Sequence, residues 1–218
     1  KMAARSRVCH SRLPIKRPAL PASKANRVLA IGASTGGTEA INSVLQQLPA
    51  QSFAVVMTQH MPAGFTTTFA DRLDRTTDFT VIEAQGGERI RPGYAYLAPG
   101  GLHMRVVRRG NDLFTDVFDG DKVCGHRPSV DVLFDSIASE VGKFALAALL
   151  TGMGKDGAQG LSKIRQTGAY TVAQDEQSCV VYGMPRAAVE LNAVEAIVPL
   201  EEIGSNLVEH LSARHSAS

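Results

Sequence analysis

The stretch Arg27-Val28-Leu29-Ala30-Ile31-Gly32-Ala33-Ser34-Thr35-Gly36-Gly37 runs from an apolar, strand-like segment into a corner built of small residues, and a helical pattern starts directly after it. Small side chains around Ser34 let the backbone turn tightly without Cβ clashes, while the helix start offers free N–H groups and a positive dipole end. A hydroxyl placed there suits attack on a carbonyl whose oxygen will turn negative. The literal pattern is G-x-S-x-G, in the strand-turn-helix setting that a nucleophile elbow requires. The plainer alternative makes Ser34 a helix N-cap that accepts a backbone N–H. What separates the two is whether a base and an orienting acid occupy equivalent places elsewhere.

Outward from this corner, short β-branched runs alternate with amphipathic stretches, the signature of βα units on a parallel sheet. Strands are expected at 27–31, 53–58, 80–84, 94–98, 145–150, 170–173 and 195–198. Helical patterns cover 38–48, 65–75, 130–141, 156–166, 185–191 and 201–211. Residues 103–109 and 113–118 alternate in polarity around Gly110-Asn111-Asp112 and read as a β-hairpin. The expected fold is α/β: a single doubly wound, mostly parallel sheet flanked by helices, with one antiparallel hairpin. Residues 120–128 form a longer connection suited to covering a site.

With 218 residues, 44% of them hydrophobic, the chain can bury a substantial core. It has no apolar run near bilayer length and no signal-peptide pattern, which implies a soluble protein without membrane insertion. Cys9, Cys124 and Cys179 are widely spaced and unpatterned, so they suggest reduced thiols in the cytoplasm, with no disulfide framework and no metal site. The net charge of +2 hides an asymmetry, since seven Lys or Arg and no acid fall within residues 1–24. The remainder is net acidic, which argues against nucleic-acid binding by the folded part. Residues 1–25, with Pro14, Pro18 and Pro21, are expected to be a basic linker preceding a domain at 26–218.

Ligands of an open parallel sheet bind beyond the carboxyl ends of its strands. Three residues pass that test: Ser34, His60 in Gln59-His60-Met61-Pro62, and Asp156 in Thr151-Gly152-Met153-Gly154-Lys155-Asp156-Gly157. A serine hydroxyl is a poor nucleophile until an imidazole takes its proton, and the resulting imidazolium needs a fixed carboxylate behind it. Singly, His60 reads as a loop residue and Asp156 as a first-turn helix residue. Together they make a Ser34-His60-Asp156 triad the better reading. The backbone N–H groups of Thr35 and Met153 are the expected oxyanion donors, and His126 is a rival histidine, facing substrate or ordering its loop. His103 opens the hairpin, while His210 and His215 lie near the C-terminus. A phosphate- or nucleotide-binding module is disfavoured by the lack of G-x-G-x-x-G and of a P-loop pattern. A non-catalytic interaction domain remains the alternative, and a fluorophosphonate probe at Ser34 would separate it from an esterase.

The phrases IGASTGGTEA (31–40), TQHMP (58–62), GYAYLAPGG (93–101), HRPSVDVLF (126–134), LTGMGKDGA (150–158) and CVVYGMPRAA (179–188) resemble the catalytic domain of the chemotaxis protein-glutamate methylesterases, the CheB type. The resemblance runs from about Val28 to Leu211. It implies a cofactor-free serine hydrolase that demethylates glutamate γ-methyl esters on bacterial chemoreceptors in chemotactic adaptation, through a glutamyl-enzyme. Deamidation of specific receptor glutamines is the implied second activity. The family's nucleophile, base and acid fall on Ser34, His60 and Asp156, and segments matching 126–128 and 174–185 border its site. Implied partners are the cytoplasmic helices of methyl-accepting chemoreceptors, an N-terminal receiver domain and the chemotaxis kinase. The basic segment before Val28 resembles the tether that follows such a receiver.

Overall fold

A computed structural model describes residues 27–216, with side chains to Ala213, so the expected linker at 1–25 lies outside the described residues. The elements are β1 (Val28–Ala33), α1 (Gly37–Gln47), β2 (Ala54–Gln59), α2 (Phe65–Thr76), β3 (Thr80–Glu83) and β4 (Tyr94–Leu97), followed by the hairpin strands β5 (His103–Arg109) and β6 (Asp112–Phe118). After them come α3 (Val130–Glu140), β7 (Leu146–Leu149), α4 (Ala158–Gln166), β8 (Tyr170–Gln174), α5 (Met184–Glu190), β9 (Ala196–Val198) and α6 (Ile203–Ser216). Three short 3₁₀ turns, Ala50–Ser52, Gly142–Phe144 and Leu200–Glu202, fall in the connections.

Seven strands form one sheet in the order β3-β4-β2-β1-β7-β8-β9, with every pairing parallel, and β5 and β6 form a separate antiparallel ribbon. β1 therefore sits at the centre, with β2 on one side and β7 on the other. The chain winds outward in both directions from this pair of seams, and their carboxyl ends are where a ligand crevice opens.

Strand alternation divides the core in two. Leu29, Ile31 and Ala33 point to the face covered by α1, α2 and α6, with Ile41, Leu45, Phe69, Leu73 and Leu207. Val28 and Ala30 point to the opposite face, with Phe134, Leu161 and Met184 of α3, α4 and α5 and Met104 and Val106 of the hairpin. A β-strand changes face at every residue, so a strand buried on both faces must be apolar throughout, as β1 is. Each fully buried Leu or Ile contributes about 1.5–3 kcal/mol relative to exposure.

Gly32 and Gly157 bring α3 close to the sheet. A Cβ on either would run into the Val130 side chain and Leu149. Val130 is the first residue of α3, so these two glycines let the start of that helix sit directly behind the carboxyl ends of β1 and β7.

Candidate active site

Ser34 and His60 are brought together by strand register. Ala33 pairs with Gln59 at the ends of β1 and β2, and the His60 N–H donates to Ala33 O at 3.1 Å. Adjacent strands lie about 4.8 Å apart, so the two residues that follow this pair are neighbours. The Ser34 N–H donates to Thr151 O at 2.9 Å, and Ser34 O accepts from the Gly37 N–H at 2.8 Å. Gln59 adds a clamp: its Nε2 donates to Ser34 O at 2.8 Å and to His60 O at 3.2 Å. The hydrogen bonds made by Ser34 among the described residues are all through its backbone.

Ser34 is not the N-cap of α1. That position belongs to Gly36, in the left-handed region at φ 81°, and no side chain caps the helix. Asp156 likewise precedes α4, whose N-cap is Gly157, so its carboxylate is not occupied by its own helix. The helix expected from 156 starts instead at Ala158, because the chain turns at Gly157 with φ 90° and leaves Asp156 facing the neighbouring loop.

Asp156 Oδ2 accepts from His60 Nε2 at 2.7 Å and from the Val130 N–H at 2.7 Å. Its Oδ1 accepts from Ser129 Oγ at 2.8 Å and from the Asp131 N–H at 3.0 Å. Two of these donors are backbone N–H groups of the first turn of α3, where a helix offers unpaired donors and positive potential. Burial raises the Asp156 pKa, but the hydrogen bonds from His60, Asp131, Val130 and Ser129 outweigh it and hold the carboxyl below its ordinary value. Asp156 is 1% exposed and ionised at neutral pH.

With Nε2 turned to the carboxylate, His60 Nδ1 is the remaining ring nitrogen. It is buried and has no hydrogen-bond partner among the described residues. A neutral imidazole that donates through Nε2 carries its lone pair on Nδ1, ready to accept a proton.

His126 lies against the same imidazole, its ring stacked on His60 with centroids 3.7 Å apart and planes 7° from parallel. The loop that carries it is pinned by His103, which is 1% exposed. His103 Nε2 hydrogen-bonds Asp121 O at 2.8 Å, and its Nδ1 accepts from the Ser129 N–H at 3.3 Å. His60, Met61, Pro62, Lys122 and His126 line a groove of about 300 Å³. His210 is spent elsewhere, stacked on Tyr170 at 3.7 Å between centroids.

Thr35 is exposed beside Ser34, and its carbonyl accepts from Thr151 Oγ1 at 2.9 Å. Met153 is 71% exposed on the rim. The preceding Gly152 is backed against Ser34, since a Cβ there would lie 2.7 Å from Ser34 Cβ. The segment after β8 closes this side, with the Gly152 N–H donating to Val181 O at 3.0 Å and the Val181 N–H to Thr151 Oγ1 at 3.0 Å. Thr35 thus follows Ser34 directly and Met153 follows the glycine packed on it, while His60, Asp156 and His126 form one contiguous cluster.

The described cysteines, Cys124 and Cys179, are poor rivals for the serine. Burial, followed by the charges of Asp131 and Asp156, pushes the Cys124 thiol up, and Cys179 is pushed up to about 11 chiefly by burial. Gln59 and Ser129 belong to no catalytic pattern in the sequence. Gln59 directly precedes His60, and Ser129 is the N-cap of α3. A serine at that cap position was the available signal.

Comparison with known proteins identifies relatives of this chain. The chain is 54% identical over 200 residues to a protein-glutamate methylesterase/protein-glutamine glutaminase of Pseudomonas aeruginosa, covering 92% of this chain and 57% of that one. It is 48% identical over 217 residues to the protein of the same description from Salmonella choleraesuis, covering 98% of this chain and 62% of that one. The chain thus spans little more than half the length of such relatives. The crystal structure of the Thermotoga maritima CheB methylesterase catalytic domain superposes with a TM-score of 0.82 at 36% identity, over 85% of this chain and 98% of that one. The family model for CheB methylesterase matches residues 29–207, a span that takes in all of the parallel sheet but Val28 and every residue of the cluster, and the chain belongs to that family.

Proposed function

We propose that this domain is a serine hydrolase that demethylates glutamate γ-methyl esters on bacterial chemoreceptors and deamidates specific receptor glutamines, with Ser34 as nucleophile, His60 as base and Asp156 as orienting acid. The observation that carries the assignment is the 2.7 Å hydrogen bond from His60 Nε2 to a saturated, buried Asp156, made beside a serine that strand register sets next to His60. Ser34 Oγ adds to the ester carbonyl as His60 Nδ1 takes its proton. The Thr35 and Met153 N–H groups face the developing oxyanion, each such donor being worth roughly 3 kcal/mol. Collapse returns the proton to the leaving methoxide, giving methanol and a glutamyl-enzyme, and water activated by His60 then releases glutamate. Deamidation follows the same path with ammonia as the leaving group.

The groove at the mouth is open and shallow, which suits a short ester on an exposed receptor helix. No described helix is long and apolar enough to cross a membrane. The substrates that the family resemblance implies are the cytoplasmic helices of methyl-accepting chemoreceptors, and the regulatory partners it implies are a receiver domain and the chemotaxis kinase.

Two measurements test this. A fluorophosphonate should label Ser34 and no other serine, and peptides bearing glutamate γ-methyl ester should release methanol. Unlabelled Ser34 together with undiminished methanol release from Ser34→Ala would overturn the assignment.

A further inference from the structure

Ester hydrolysis by Ser34, His60 and Asp156 leaves the face-to-face stack of His126 on His60 without a role. Two neutral imidazoles in this arrangement attract only weakly. The contact strengthens when His60 becomes an imidazolium, because a cation over an aromatic face is held by the ring's electron density. In the proposed reaction that cation exists only while Ser34 is deprotonated or the leaving group is being protonated. An interaction that grows there acts on the transition state more than on the ground state.

We propose that His126 is a positioning residue for the catalytic base: its ring face holds the His60 imidazole in line with Asp156 and stabilises the imidazolium formed during attack. This rests on His60 being the base.

The surroundings fit such a role. The groups facing His126 are His60 from the loop after β2, Asp156 from the loop after β7, and Lys122 from its own loop. Burial first, then the charge on His60, lowers the His126 pKa; Lys122 adds to this and Asp156 opposes it. The net effect keeps His126 uncharged at neutral pH, so that it presents an electron-rich face where a second cation would repel the first. Its loop is fixed at both ends by the buried His103, through Asp121 O and the Ser129 N–H, and Ser129 is also a donor to Asp156. The wall behind the base and the grip on the acid therefore belong to one pinned segment.

The test uses three variants of the whole chain and a peptide carrying glutamate γ-methyl ester. His126→Ala and His126→Leu should each lower kcat about tenfold with KM unchanged, and His126→Phe should restore it to within about threefold, since Phe supplies an aromatic face and Leu only volume. Proton NMR of the His60 ring, without substrate, should show its pKa about half a unit or more lower in His126→Leu than in His126→Phe. Equal kcat and equal His60 titration in the Leu and Phe variants would overturn the proposal, as would an effect confined to KM, the mark of a substrate contact. A fully active His60→Ala enzyme would instead remove the base assignment itself, which keeps the two failures distinct.

Discussion

Asp156 and Ser34 stand at opposite ends of the cluster and are held in different ways. The carboxylate is 1% exposed and receives four hydrogen bonds, from His60, Ser129, Val130 and Asp131. The serine is half-buried beside the exposed Thr35, and its described hydrogen bonds run through its backbone. A group that only orients and stabilises a charge works best with every lone pair satisfied. A group that must form a bond keeps its reactive atom uncommitted while the chain around it is fixed. Asp156 is set by side chain and helix start, Ser34 by strand register.

The largest effect should come from the uncommitted end. Ser34→Ala should cut kcat by roughly a million-fold, the scale seen when a triad nucleophile is removed, with the thermal unfolding midpoint unchanged. A coincident loss of stability would show that the hydroxyl does structural work and would blur the contrast. Asp156→Asn should lower kcat by about 10⁴-fold, because an amide cannot stabilise the imidazolium and favours the wrong tautomer. It should also destabilise the fold by about 1–3 kcal/mol in urea unfolding, since an amide NH₂ would face backbone donors. A stable, slow variant would mean that the grip on Asp156 serves catalysis alone.

Gly152→Ala tests whether backbone packing is what sets the serine. The added methyl would collide with Met184 Sδ and approach Ser34 Cβ, and kcat should fall about 100-fold, as for a displacement of about 1 Å. Methanol release with the labelling rate at Ser34 checks it, both falling together if the serine has moved. The smallest effect concerns pH. A carboxyl whose folded pKa lies below its unfolded value of about 3.9 adds stability that is fully present above that value. That stability is lost as pH falls through the lower folded value. The stability gap between the natural chain and Asp156→Asn should therefore narrow below about pH 4. A gap that stays constant would mean the cradle does not lower the Asp156 pKa.

Much of the fold is legible in the sequence because its signals are local. Apolar runs such as 28–31 and 145–150 mark strands whose two faces are both buried, and polarity alternation finds the hairpin. Residues at strand ends then converge for topological reasons, which is why Ser34, His60 and Asp156 could be picked out separately. The partners of Asp156 are less visible. Ser129, Val130 and Asp131 meet it only because Gly32 and Gly157 admit the start of α3, a contact between positions more than 20 residues apart. The turn at Gly157 delayed α4 by two residues for the same reason: Asp156 is turned toward His60 before the helix begins. The stack of His126 on His60 depends on how the 120–129 loop folds back onto His103, and no periodicity encodes it.

The Gln59 amide, which bridges the carbonyls of Ser34 and His60, links two segments that otherwise leave separate strands. Thermal excursions of the two corners then become correlated, so that the pair drifts as a unit while the gap between them varies little. A push on either corner is then passed to the other, which keeps the backbones of Ser34 and His60 in register.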